Sequence, residues 1–212
     1  RETLAAALVL LSGYRGRDPF CDPFCGSGTI AIEAALIAKN RAPGLDRTFS
    51  AQRWAWLPSA AWVDAAGEAM DLEFDGTYDI WGGDLDPAAV ALARSNAEKA
   101  GVEDLVRFEV ADARRFARTE PFGRVVTNPP YGERLLEARE AAQLMSDFGR
   151  ATRGLPTGWR VGIISGLEEF EHAFGRKADK RRKLYNGMLK CGFFQYGGPR
   201  PARPPQGKGK RR

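Results

Sequence analysis

Histidine is nearly missing from this chain. His172 is the only one in 212 residues. A metal centre built from histidines is excluded, and Ser-His catalysis would have to use that single residue. It lies in Glu168-Glu169-Phe170-Glu171-His172 and reads as a solvated helix position. Cysteine is scarce too. Cys21, Cys25 and Cys191 make an odd number at spacings that suit neither a disulfide framework nor a metal site, and they fit a reducing cytoplasm. No apolar run approaches the ~20 residues of a membrane-spanning helix, so no membrane partner is expected. A signal peptide is not evident either. The chain opens on Arg1 and not on Met, which leads us to expect a piece of a longer protein with a region upstream.

What is present is a globular composition with uneven charge. Hydrophobic residues make up 43% and charged residues 28%, ordinary for one domain with a full core. The net charge is +5. The tail from Pro199 carries Arg200, Arg203, Lys208, Lys210, Arg211 and Arg212 and no acid. Residues 175–190 carry seven basic residues against one acid, Asp179. The remainder is therefore acidic. Basic patches on an acidic body suit contact with a polyanion at defined places, or they are simply solvated. The Pro-Arg-Pro-Ala-Arg-Pro-Pro tail has a disordered composition in any case.

Strand and helix patterns alternate, which predicts an α/β fold with a mostly parallel sheet. Helices are expected over residues 3–11, 29–39, 86–100 and 137–153, with a short one ending near residue 174. Strands are expected within 17–24 and over 78–83, 105–110, 123–127 and 159–165. Asp86-Pro87 supplies an N-cap and a first-position proline for the third helix. Asn186-Gly187 between Lys183-Leu184-Tyr185 and Met188-Leu189-Lys190 predicts a hairpin with a type I′ turn. Five β-α units closed by an antiparallel hairpin give seven strands. That is the class I methyltransferase architecture, a Rossmann-like sheet with helices on both faces. Residues 1–198 form this domain and 199–212 the tail. Residues 41–77 read as a packed insertion near the site, with a helix near 59–72 and Trp54, Trp56 and Trp62.

Chemistry-bearing residues follow successive strands. Asp22-Pro23-Phe24-Cys25-Gly26-Ser27-Gly28-Thr29 lies between the first strand and its helix, where open α/β sheets bind ligands. Gly26 and Gly28 permit a sharp turn and close backbone approach. With Ala31 in the third position the spacing also allows a dinucleotide site, but Asp22 would repel a pyrophosphate. A carboxylate there suits the cationic amino-acid end of S-adenosyl-L-methionine (SAM). Asp84-Leu85-Asp86 ends the second strand. An acid at this place binds ribose hydroxyls, a role assigned to Asp84, with Leu85 packing on adenine and Asp86 assisting or capping the helix. Asp112, with the backbone of Ala113, follows the third strand and could meet the adenine edge, or be an ordinary loop acid.

Asn128-Pro129-Pro130-Tyr131 follows the fourth strand. It is either a stiff turn or a clamp for a planar amine. The Asn128 side-chain oxygen can accept from an amino group, and the prolines fix the carbonyls beside it. Tyr131 offers a face for a base to stack on. Asn128, Pro129 and Tyr131 are thus the candidate catalytic set, with Asn128 also expected to border the cofactor. The order of these motifs implies a SAM-dependent methyltransferase acting on an exocyclic nitrogen, a reaction carried largely by positioning and needing no strong base.

Together, residues 22–29, Asp84-Leu85-Asp86-Pro87 and Asn128-Pro129-Pro130-Tyr131-Gly132-Glu133-Arg134-Leu135 resemble the THUMP-associated RNA methyltransferases. They are most similar to the bacterial 23S rRNA guanine-N2 enzymes of the RlmL/YpsC type. Residues 1–5, 42–47 and 174–187 carry further likeness, so the resemblance spans nearly everything before Pro199. It implies guanine-N2 methylation of large-subunit rRNA, an RNA partner, and an RNA-gripping THUMP region that this chain lacks. It makes Lys180, Arg181, Arg182 and Lys183 RNA contacts, and it sets Glu2 and Thr3 either beside the cofactor or simply at a helix start. Adenine N6 in DNA and guanine N2 in tRNA are the alternative targets.

Overall fold

The computed structural model describes residues 2–130, 135–167 and 169–197. Tyr131, Glu133 and Arg134 of the candidate clamp, and the basic tail, lie outside them. The described chain runs α1 (Glu2–Ser12), β1 (Phe20–Asp22), α2 (Thr29–Lys39), α3 (Ser59–Asp71), β2 (Ile80–Asp84), α4 (Pro87–Lys99), β3 (Arg107–Val110), β4 (Gly123–Thr127), α5 (Leu135–Arg153), β5 (Trp159–Ser165), α6 (Phe170–Phe174), β6 (Lys180–Asn186) and β7 (Leu189–Tyr196). The seven strands form one sheet in the order β3-β2-β1-β4-β5-β7-β6. The first five are parallel, and β7 pairs antiparallel with both β5 and β6.

Alternation along each strand supplies two cores, one per face. Phe20, Val126, Ile164 and Phe193 face the α1, α2 and α4 side. Their neighbours Cys21, Val125, Ile163 and Phe194 face the α5 and α6 side. A strand buried on both faces needs apolar residues at consecutive positions, hence the unbroken Val125-Val126 and Ile163-Ile164 pairs. Helix α5 packs hard against α6: a Cβ on Gly149 would lie 2.2 Å from the Phe174 carbonyl oxygen. All three cysteines are free and buried. His172 is exposed, as its setting in the sequence suggested.

Two expectations change. The hairpin pairs Asn186 with Leu189, so its two-residue loop is Gly187-Met188 and not Asn186-Gly187. Only Gly187, the first loop residue, has a positive φ, +64°. That fits a type II′ turn and not the I′ turn expected, because Asn186 is drawn into the strand ladder. The insertion is also less packed than expected. Helix α3 buries no residue, and Trp54 and Trp56 are exposed. Its ends are pinned to the C-terminus of α2. Lys39 and Arg41 ion-pair with Glu73, and Asn40 Nδ2 donates to the Leu72 carbonyl. Helix α2 starts at the carboxyl edge of the sheet and runs down, so this anchorage lies at the edge away from Asp22 and Asp84.

Candidate active site

Every candidate loop leaves the carboxyl edge of the parallel strands. Asp22 ends β1, Asp84 ends β2, Asp112 follows β3 and Asn128 follows β4. Parallel pairing of β1 with β2 and β4 brings the first, second and fourth of these together across the central strand.

The loop after β1 is built to stay open. The Cys25 amide donates to the Gly83 carbonyl (2.9 Å) and the Gly28 amide to the Cys25 carbonyl (2.8 Å). Asn96 on α4 donates from Nδ2 to the Ser27 carbonyl at 2.9 Å. The two glycines serve different ends. Gly28, at φ +80°, faces Ala93 and Phe108, each 2.9 Å from a Cβ placed there, so its lack of a side chain lets α4 and β3 close in. Gly26, at φ +50°, has no atom within 4 Å of such a Cβ, so it faces open space where a ligand can approach the backbone. Cys25 is buried, and burial raises its thiol pKa well above the usual range, which makes it a packing residue.

Asp84 organises the edge. Its Oδ2 accepts from the Gly26 amide (2.9 Å) and its Oδ1 from the Asp86 amide (3.0 Å). Each oxygen keeps a second lone pair. Asp86 caps α4, accepting from the Ala88 amide at 2.9 Å with Pro87 at the first helical position. Leu85 between them is 63% exposed, an apolar surface at the open edge.

Asp22 is 1% exposed. Its Oδ1 accepts from the Thr127 hydroxyl at 2.6 Å and from the Phe24 amide at 3.4 Å. Burial pushes its pKa up to about 7. The two hydrogen bonds oppose that shift, and the charge of Asp84 adds to it. A buried carboxylate whose ionisation is disfavoured will gain from a nearby cation. Thr127, itself buried, was not singled out in the sequence. A hydroxyl ending an otherwise apolar Val125-Val126-Thr127 run was the available signal. Through it Asn128-Pro129 is held against β1. Asn128 is exposed and Pro129 buried.

Asp112 is engaged by its own turn. Its carboxylate accepts from the Arg114 amide (3.0 Å) and pairs with the Arg114 guanidinium (2.7 Å), which holds its pKa below the usual range. Ala113 beside it is buried. Lys180, Arg181, Arg182 and Lys183 lie apart from this group on the edge strand β6, all exposed. Ser27 and Thr29 pair their hydroxyls at 3.0 Å beside the loop. Glu2 opens α1 close enough to Glu33 of α2 to help raise the Glu33 pKa, behind burial.

A parallel sheet closed by an antiparallel strand, a glycine loop open at Gly26, and carboxylates ending β1 and β2 define a class I SAM-dependent methyltransferase fold. The chain belongs to the family described as "RMKL-like, methyltransferase domain", which it matches over residues 1–194. It is 45% identical over 197 residues to "Putative RNA methyltransferase YpsC" of Bacillus subtilis, covering 92% of this chain and 51% of that protein. It is 40% identical over 202 residues to "Ribosomal RNA large subunit methyltransferase K/L" of Shewanella baltica, covering 92% of this chain and 28% of that one. It therefore spans about half of the first relative's length and about a quarter of the second's.

Solved structures agree. A possible methylase from Clostridium difficile 630 superposes with a TM-score of 0.93 at 46% identity, over 96% of this chain and 54% of that one. A protein solved in complex with SAH gives 0.90 at 42%, over 94% and 53%. A protein of Listeria monocytogenes called a predicted N6-adenine-specific DNA methylase gives 0.87 at 44%, over 93% and 51%.

Proposed function

We propose that this domain methylates an exocyclic amine of a nucleobase in RNA, and that the amine is guanine N2 of 23S rRNA. The observation that carries the proposal is the Thr127–Asp22 hydrogen bond, which fastens Asn128-Pro129 to the strand that opens the glycine loop. SAM supplies a methyl group on a positively charged sulfur. The open face at Gly26, the two free lone pairs on Asp84, the exposed Leu85 and the cation-seeking Asp22 fit its backbone, ribose, adenine and amino group in turn. Asp112 can take the adenine amino group if Arg114 yields one of its contacts.

Asn128 acts on the target nitrogen. An aromatic amine is a weak nucleophile because its lone pair is delocalised into the ring. Accepting a hydrogen bond at the Asn128 oxygen, and a second at the Pro129 carbonyl, keeps that pair on nitrogen. The nitrogen then bonds to the methyl carbon as the carbon–sulfur bond breaks, the bonding pair returns to sulfur, and the nitrogen loses its proton to solvent. Alignment supplies most of the acceleration, roughly 7–11 kcal/mol for a well-oriented pair. Tyr131 stacks on the base, which must be unpaired or flipped out to reach the edge of the sheet.

The K/L relative's name supports ribosomal RNA, and the Listeria name supports a second reading, adenine N6 in DNA. One assay separates them. Labelled methyl groups are followed into rRNA, tRNA and duplex DNA, and the modified nucleoside is identified. N2-methylguanine in rRNA is the expected product; N6-methyladenine alone would end the guanine reading. Asn128→Ala should abolish transfer while calorimetry still finds SAM binding, and retained turnover would remove Asn128 from the reaction.

A further inference from the structure

The β6–β7 hairpin rises past the rest of the sheet. Ser165, the last residue of β5, pairs with Gly192, and Gly192 pairs with Lys183. Leu184, Tyr185 and Asn186 therefore stand beyond the end of β5, a rise of about 10 Å at the strand repeat. They rise from the carboxyl edge, the edge that carries Asn128. Strand β6 is three places from β4 in the sheet, about 14 Å at the usual strand spacing.

The projecting end has its own chemistry. Tyr185 is 56% exposed and Met188 99%, and Leu189 is exposed as well. Tyr185 faces Lys190 directly across the ladder, and Lys183 is two residues back on the same face. The Lys183 ammonium lies 5.4 Å from the Tyr185 ring centroid. Both lysines favour the ionised phenol, Lys183 most strongly through its hydrogen bond, and they lower its pKa. Residues 180–197 contain no Asp or Glu. The Tyr185 ring is thus more than half exposed at the projecting end, with lysines at the neighbouring positions of its own face.

The other basic residues of β6 are placed differently. Arg181 lies over the Phe194 ring, 4.9 Å from its centroid, and Lys180 pairs opposite Gln195, level with the middle of β5. The four consecutive cations of the sequence are thus not one patch. Only Lys183 reaches the projecting end.

We infer that the hairpin end is a single-stranded RNA platform. Tyr185 stacks on an unpaired base a few nucleotides along the strand from the one being methylated, and Lys183 and Lys190 hold phosphates next to it. The occupant is fixed by charge and shape together. Ammonium groups beside an exposed aromatic ring match the alternation of phosphate and base along a single strand. A duplex, whose bases are already stacked, offers nothing to Tyr185. The inference rests on an RNA target, but not on which base of it is methylated.

The test uses the whole protein and a fluorescently labelled, mixed-sequence single-stranded RNA, read by anisotropy. Tyr185→Ala is expected to weaken binding by about 5- to 150-fold, the range of one base–aromatic stack. Tyr185→Phe should bind as the parent does. Removing either Lys183 or Lys190 should flatten the dependence of affinity on salt. An oligonucleotide of the same length without bases should not distinguish Tyr185→Ala from the parent. SAM affinity, measured in parallel, should be unchanged in every variant and also reports that each is folded.

Equal RNA affinity for Tyr185→Ala and the parent overturns the platform. So does a Tyr185→Phe variant as weak as the alanine, which would make the hydroxyl and not the ring the contact. A change of sedimentation with RNA affinity intact overturns it in favour of a contact between protein chains. Failure of the RNA reading itself appears elsewhere, as methyl transfer to duplex DNA and none to RNA by the parent protein.

Discussion

Burial and ionisation oppose each other at Asp22. Its pKa stands at about 7 in the fold against the ordinary carboxylate value near 4, so the folded protein prefers it protonated. The sign follows directly. Between those two values the folded state binds more protons than the unfolded chain, so stability falls as pH rises through about 7. Asp22→Asn should therefore raise the thermal midpoint of the ligand-free protein at about pH 8 and leave it nearly unchanged at about pH 4. Melting curves across that range check it. The same residue links cofactor to pH. A cationic amino group beside Asp22 returns it to the ionised form, so binding below about pH 7 should release a proton. Affinity should climb with pH and level off above about 7. Calorimetry in buffers of different ionisation enthalpy reads the proton, and Asp22→Asn should abolish its release. Thr127→Val removes a hydroxyl that donates to this carboxylate at 2.6 Å. It should push the Asp22 pKa higher still and shift the binding profile to higher pH.

Elements carry the next set of constraints. Helix α5 reaches α6 only because position 149 has no side chain. In Gly149→Ala the new methyl would meet the Phe174 carbonyl oxygen at 2.2 Å, and backbone cannot swing aside as a side chain can. Overpacking of this kind costs roughly 1–3 kcal/mol. Urea denaturation should show the loss, and SAM affinity should weaken with it, because Phe148 beside Gly149 packs edge-on against Phe24 of the glycine loop at 5.1 Å. The insertion between α2 and β2 behaves oppositely. Its helix α3 has no fully buried residue, and its ends are already tied by Asn40–Leu72 and by the Arg41–Glu73 ion pair. Replacing residues 43–71 with a short Gly/Ser linker should leave a folded domain that still binds SAM, with a thermal midpoint within a few degrees of the parent.

At the scale of the molecule, charge separates from chemistry. The carboxylates Asp22, Asp84 and Asp112 gather at the carboxyl ends of the strands in the first half of the sheet order. The cations of 176–190 lie on the far edge strands and the turn before them. RNA affinity should accordingly fall steeply with salt, and SAM affinity should hardly change over the same range.

Much of this was legible in the chain. Alternating α and β patterns, the Asp86-Pro87 cap, the Gly26 and Gly28 loop and the run of motifs after successive strands are local signals. Each depends on neighbours in sequence, and each element appears within a few residues of its expected place. The hairpin turn was misplaced by one residue because Asn-Gly is a local preference. The ladder that claimed Asn186 is set by the pairing of β7 with β5. The insertion was expected to pack because three tryptophans lie in it, but burial depends on what lies opposite, which composition does not contain.

The sequence by itself determined the order of strands and helices and the class of cofactor. Tertiary structure alone decided that Thr127 donates to Asp22 across 105 residues of chain, that Gly28 is needed by α4 while Gly26 is left open to a ligand, and that one run of four cations divides between a strand's middle and its projecting end. The physical reason is the same in each case: backbone preferences act over a few neighbouring residues, whereas burial, close approach and register depend on elements that meet only when the sheet closes.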